Sequence, residues 1–78
     1  MIRFVVFYST QSKKRVVGVF ETDNAFIKPD TGELRIWVGG DGWVFTIGED
    51  EIGSVLSQLV DGKDVIIVHG AALNRVVG

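Results

Sequence analysis

The chain has 78 residues, 46% of them hydrophobic and 23% charged, with a single proline. That length closes one hydrophobic core and excludes a second domain, and that composition belongs to a folded globule, not a disordered tail. With no cysteine and one histidine the chain has no disulfide framework, no thiolate metal centre and no multi-histidine site, and a formal net charge of -2 lacks the basic excess of a general nucleic-acid or membrane coat.

The charge is unevenly spread. Residues 1–40 hold six basic against four acidic side chains, and residues 41–78 hold two against six, so the halves are oppositely polarised. The longest apolar runs, Phe4 to Tyr8 and Val65 to Val68, are far shorter than the ~20 residues of a membrane-spanning helix. Met1-Ile2-Arg3 leads into a strand-like run with no small-residue cleavage site behind it. No secretory signal is therefore expected, and with cysteine missing the expected location is cytoplasmic.

Aromatic and β-branched runs separated by short turn clusters predict an antiparallel meander. Its strands are expected over Ile2 to Tyr8, Lys14 to Phe20, Ala25 to Lys28, Glu33 to Val38 and Trp43 to Ile47. Pro29-Asp30-Thr31-Gly32 is a turn with proline pre-set at its second position and glycine free to take positive φ at its end. The period then changes: Ile52, Val55, Leu56, Leu59 and Val60 fall on one stripe of an α-helix. Gly48 is its expected N-cap, Glu49, Asp50 and Glu51 complement the helix dipole, and Gly62 stops it. Val65 to Val68 predicts a short sixth strand, and Ala71 to Gly78 reads equally as a helical turn or an extended arm. The expected fold is α+β in one domain: a twisted antiparallel sheet of about five strands, one amphipathic helix packed on one face, and a short sixth strand.

Alternation along the strands gives a core face of Ile2, Phe4, Val6, Val16, Phe20, Leu34, Ile36, Val38, Trp43, Phe45 and Ile47, which the helix stripe would cover. The other face is also apolar: Val5, Phe7, Val17, Val19, Trp37 and Val44, interspersed with Arg3, Arg15, Arg35 and Thr46. One helix cannot cover both. An uncovered face of several hundred Å² exceeds what a soluble monomer usually leaves bare, so association is expected, with Val5, Val17, Val19 and Val44 as the oligomer interface. The alternative is that strong curling closes the sheet into a small barrel and shifts part of this assignment.

Arg3, Phe7, Arg15, Arg35 and Trp37 form the candidate binding set. Arginine and tryptophan are enriched at protein interfaces, and the same types can track a phosphate backbone while rings stack on bases. The expected partners are a second copy of the chain, a foreign protein, or a single-stranded nucleic acid. Catalysis is not expected: Ser9, Ser12, Ser54 and Ser57 have no neighbouring base, and His69 stands alone. Nor is a cofactor or metal, since Gly39-Gly40-Asp41-Gly42 lacks the lysine and the strand-loop-helix setting of a phosphate-binding loop, and adjacent carboxylates on a helix do not converge on one ion.

From Glu33 to Val60 the chain runs strand, turn, a strand carrying Trp43 and ending in Ile47, then Gly48-Glu49-Asp50-Glu51-Ile52 opening an amphipathic helix. This stretch resembles the single-stranded-DNA-binding transcriptional coactivator family, positive cofactor four and its bacterial relatives. In that family a cap residue, two spacers, a glutamate and a large apolar residue open the helix, and Gly48, Glu51 and Ile52 stand in those places, glycine replacing the family's serine. The resemblance implies a curved four-stranded antiparallel sheet followed by one helix, a dimer, and single-stranded nucleic acid as ligand.

Overall fold

The computed structural model describes all of residues 1–78. Five strands run in succession: β1 (Ile2–Ser9), β2 (Arg15–Thr22), β3 (Asn24–Lys28), β4 (Glu33–Val38) and β5 (Asp41–Thr46). The helix α1 (Glu49–Val60) and a last strand β6 (Val65–Val77) complete the chain. The architecture is α+β, one helix packed on a six-stranded, mostly antiparallel sheet of order β2-β1-β6-β5-β4-β3.

The meander forms as its turn chemistry dictates. Gly32 takes φ +70°, closing the β3–β4 turn, and its carbonyl accepts the Ile47 N–H at 2.7 Å. A side chain there is doubly excluded, since a Cβ would stand 2.7 Å from the Ile47 carbonyl oxygen.

The sixth strand departs from expectation. It is thirteen residues long, absorbs nearly all of the Ala71 to Gly78 tail, and does two jobs. Its first half runs parallel to β1, pairing Arg3 with Val65 and Val6 with Val68. Its second half runs antiparallel to β5, pairing Thr46 with Ala72 and Gly42 with Val77. The ladder with β1 shifts register between Val68 and Ala71, where Gly70 sits at φ +66°, a conformation glycine adopts without strain, and the ladder with β5 shifts between Leu73 and Arg75. The parallel pair follows from the crossover: α1 carries the chain back from the end of β5, so β6 enters beside β1 in the same direction.

From Val65 to His69, while β6 pairs with β1, its other edge faces α1, and only at Ala72 does it pair with β1 and β5 together. The Gln58 side chain donates to the Ile67 carbonyl at 2.9 Å and accepts the Ile67 N–H at 2.8 Å. One β-step on, the Glu51 carboxylate accepts the His69 N–H at 2.9 Å. Residues 51 and 58 are two helical turns apart and so share a face, which presents them to alternate residues of the strand. Glu51 therefore bonds the last strand, not the cap position.

The sheet curls back on itself. β2 and β3 lie at opposite ends of the strand order yet are separated in sequence by Asp23 alone. Phe20 on β2 meets Trp43 and Phe45 on β5 with ring centroids 5.1 Å and 5.7 Å apart, and Tyr8 on β1 packs edge-on against Phe45 at 5.0 Å. At the junction the buried Thr22 hydroxyl donates to the Trp37 carbonyl of β4 and accepts the Asn24 N–H at 2.9 Å. The enclosed core is Phe4, Val6, Phe20, Leu34, Ile36, Phe45, Ile47, Ile52, Val55, Ile66, Val68 and Ala71. Of the expected core positions, Ile2, Trp43, Leu56 and Leu59 pack against it part-buried, and three are exposed. Val16 and Val38 are exposed near strand ends, where the curl opens, and Val60 in the last turn of α1 is 85% exposed because the sheet ends before it. No helix is long and apolar enough to cross a membrane.

Candidate interaction surface

Because the sheet curls, its outer side faces several directions, and the predicted binding set divides. Arg3, Val5, Phe7, Arg15, Val17 and Val19 lie together on the outer face of β1 and β2, where the register sets Arg3 opposite Glu21, Val5 opposite Val19, and Phe7 opposite Val17. Arg35, Trp37 and Val44 lie on the outer face of β4 and β5, on the far side of β6 in the order.

Val44 is enclosed. It stands between Arg35 and Arg75 in a cross-strand row, long side chains on both flanks, and is 3% exposed, so it offers nothing to an oligomer interface. Trp37 is half-buried, its ring lying over Gly42, where an added Cβ would come within 2.7 Å of it. Arg35 bonds Glu33 through Nε at 2.7 Å. That hydrogen bond, opposed by desolvation and assisted by the Arg35, Arg75 and Lys28 charges, holds the Glu33 carboxyl below its ordinary value of 4.5. Around Val44 this second face is covered within the subunit, although Phe26, opposite Arg35, is 54% exposed and Arg75 makes no ion pair.

The β1–β2 face is not. Val17 is 57% exposed, Val19 59% and Phe7 38%, and the half-buried Val5 and Ile67 join them into one patch. Its uncovered apolar area is on the order of 300 Å², the range in which patches on soluble monomers tend to be functional. Withdrawn wholly from water, that area would contribute roughly 7 kcal/mol at ~25 cal/mol per Å². At its rim Arg3 contacts Glu21 at 3.2 Å, both half in solvent, and Arg15 makes no ion pair.

His69 belongs to this face, a placement hidden in the sequence because the apolar run ends at Val68. The alternation Val65, Ile67, His69 was the available signal. Its ring stacks on Phe7 with centroids 4.7 Å apart and planes 12° from parallel. A groove of about 520 Å³ opens beside this stack, lined also by Ser9, Arg15, Val17 and Gly70.

β2 has one neighbour, β1, and its other edge is open from Arg15 to Glu21. Within that stretch Val16 to Phe20 carries no charge, proline or bulge, the usual guards against pairing with another strand. An apolar face, a free edge and an unpaired arginine thus meet on one strand. Comparison with protein-family models, with curated proteins and with solved structures finds no match to this chain.

Proposed function

We propose that the chain is a small non-catalytic binding module that acts by association through the outer face of β1 and β2, with a second copy of itself as first partner and a foreign protein as the object of regulation. The observation that carries this is the exposure of Phe7, Val17 and Val19 side by side next to an unguarded strand edge. The decisive experiment is sedimentation equilibrium of the pure protein over a wide concentration range. The mean mass is expected to rise above that of one chain, and Val19→Lys, at a side chain already in solvent, is expected to return it to monomer with little change in melting temperature. A monomer throughout would overturn the reading. A cytoplasmic location belongs to the same proposal, supported by a chain without cysteine.

The Phe7–His69 stack beside Arg15 favours one second reading, a dimeric single-stranded nucleic-acid binder, with a base on the rings and a phosphate on the arginine. It demands steep salt dependence. A labelled single strand titrated at low and moderate salt should bind more weakly at the higher concentration and lose affinity in Phe7→Leu and Arg15→Gln. Absence of binding at low salt removes this reading and leaves the first intact.

A further inference from the structure

We infer that two copies of the chain pair antiparallel through the free edge of β2, about a two-fold axis at Gly18, in the register that sets Arg15 opposite Glu21 of the second copy and Val17 opposite its Val19. This rests on the self-association proposed above and specifies its geometry.

The backbone selects the register. The Arg3 N–H donates to the Asp64 carbonyl at 2.8 Å, so Arg3 directs its peptide groups at β6 and away from β2. Arg3 and Glu21 are therefore a non-hydrogen-bonded pair of the β1–β2 ladder, and Glu21 turns its own N–H and carbonyl to the open edge. The regular pairing of β1 with β2 extends this to Val19, Val17 and Arg15, while Val16, Gly18 and Phe20 bond inward to β1. A second β2 can bond that edge only by bringing its odd-numbered residues opposite these. Of the registers so allowed, centring on residue 18 alone matches valine with valine and arginine with glutamate at both ends. A shift of one residue on each strand either way sets Arg15 opposite Val19, or Glu21 opposite Val17.

The side chains agree with the backbone. Arg15, Val17, Val19 and Glu21 all point to the outer face, so each hydrogen-bonded pair is also a side-chain pair: two apolar pairs at the centre and an opposite-charge pair at each end. Glu21 already touches Arg3, and the incoming Arg15 reaches it from the other side. Gly18 on the axis has no outward side chain. Its inner side is closed by the Phe20 and Tyr8 rings, which an added Cβ would meet at 2.6 Å and 3.0 Å. The contact is self-complementary and closes at two copies. It also joins the row His69, Phe7, Val17 of one copy to Val19, Val5, Ile67 of the other, so the apolar patch becomes one floor across both subunits.

Sedimentation equilibrium on Arg15→Glu and Glu21→Arg tests the register. Each variant alone sets like charges opposite one another at both ends and is expected to weaken self-association on the order of tenfold. Mixed in equal amounts, the two restore an opposite-charge pair at both ends, and the heterodimer should recover the wild-type mass. Should Glu21→Arg fail to fold for want of its Arg3 contact, cysteine pairing decides instead, in a chain that has no cysteine of its own. Val17→Cys mixed with Val19→Cys should oxidise mainly to the mixed disulfide, because directly opposed residues stand ~5.5 Å apart at Cα, within disulfide reach. A wild-type dimer that ignores both charge changes, or shows no preference for the mixed disulfide, overturns the register and leaves self-association standing. A wild-type chain that stays monomeric overturns both.

Discussion

A glutamine side chain carries the same carbonyl and N–H groups as a peptide unit, and Gln58 directs both at Ile67, standing in for the strand that β6 lacks on that side. Replacing it with leucine leaves a part-buried N–H and carbonyl without partners, a cost of about 1–3 kcal/mol. Gln58→Leu is therefore expected to melt several degrees below the wild type in a thermal scan. Glu33 makes a prediction of a different kind. Its carboxyl is held below the ordinary value chiefly by the Arg35 hydrogen bond, so its stabilisation is present above pH 4.5 and lost as pH falls through the lowered value. The melting-temperature gap between wild type and Glu33→Gln should thus be open at neutral pH and close in acid; a gap that widens in acid would contradict it. The contacts that Gln58 and Glu51 make with β6 are not legible in the sequence. Gln58 is a polar residue beside an apolar stripe, which in sequence reads as solvated surface, and Glu51 reads as a helix-dipole partner when its carboxylate is the acceptor for His69.

Period and turn chemistry identified every element of the meander and the helix, because those signals are local: alternation in β1 to β5, a proline-to-glycine turn, a stripe at helical spacing. β6 shows where local signals end. A glycine after a run of valine and isoleucine marks the end of a strand or a kink within one, and only the long-range ladder with β5 decides between them. At Gly70 the chain kinks and continues. An added Cβ there would meet nothing within 4 Å, so Gly70→Ala isolates the cost of the left-handed conformation, about 1 kcal/mol. Denaturant titration should show a lower midpoint with an unchanged slope, since no buried surface is lost. Gly42→Ala is the contrasting case: its φ is ordinary, and the Trp37 ring occupies the space. Here the ring must move, and a shift in tryptophan emission should accompany a loss of about 1–2 kcal/mol.

At the scale of the molecule the sequence anticipated a surplus of apolar surface, and half of it survives. Alternation is blind to sheet curvature, so residues on β1 and on β4 share a nominal face while the curl turns them apart. Flanking arginines then enclose Val44, as the spacing of strand residues could not disclose. Curvature is secured at the β2–β3 corner, where the Thr22 hydroxyl bonds the Trp37 carbonyl across the seam. Thr22→Val keeps the shape and removes that tie, leaving a carbonyl and the Asn24 N–H unpaired. A loss of about 1–3 kcal/mol is expected, with amide exchange accelerating first at residues 22–26 and 36–38 if the corner is what holds the curl.

The double duty of β6 has a consequence for how the polypeptide is made. Residues of the first strand and of the fifth are joined through a segment translated after both, so a chain emerging from the ribosome holds a hairpin, a meander and a helix that lack their common strand and meet through the β2–β3 corner and the Tyr8 and Phe20 ring contacts. A two-stranded hairpin is marginal by itself, and the apolar interiors of these pieces stay open to chaperones and to one another until residues 65–77 clear the exit tunnel. Any stop codon before that point yields a fragment whose strands lack their common neighbour, and such fragments should be degraded rather than accumulate.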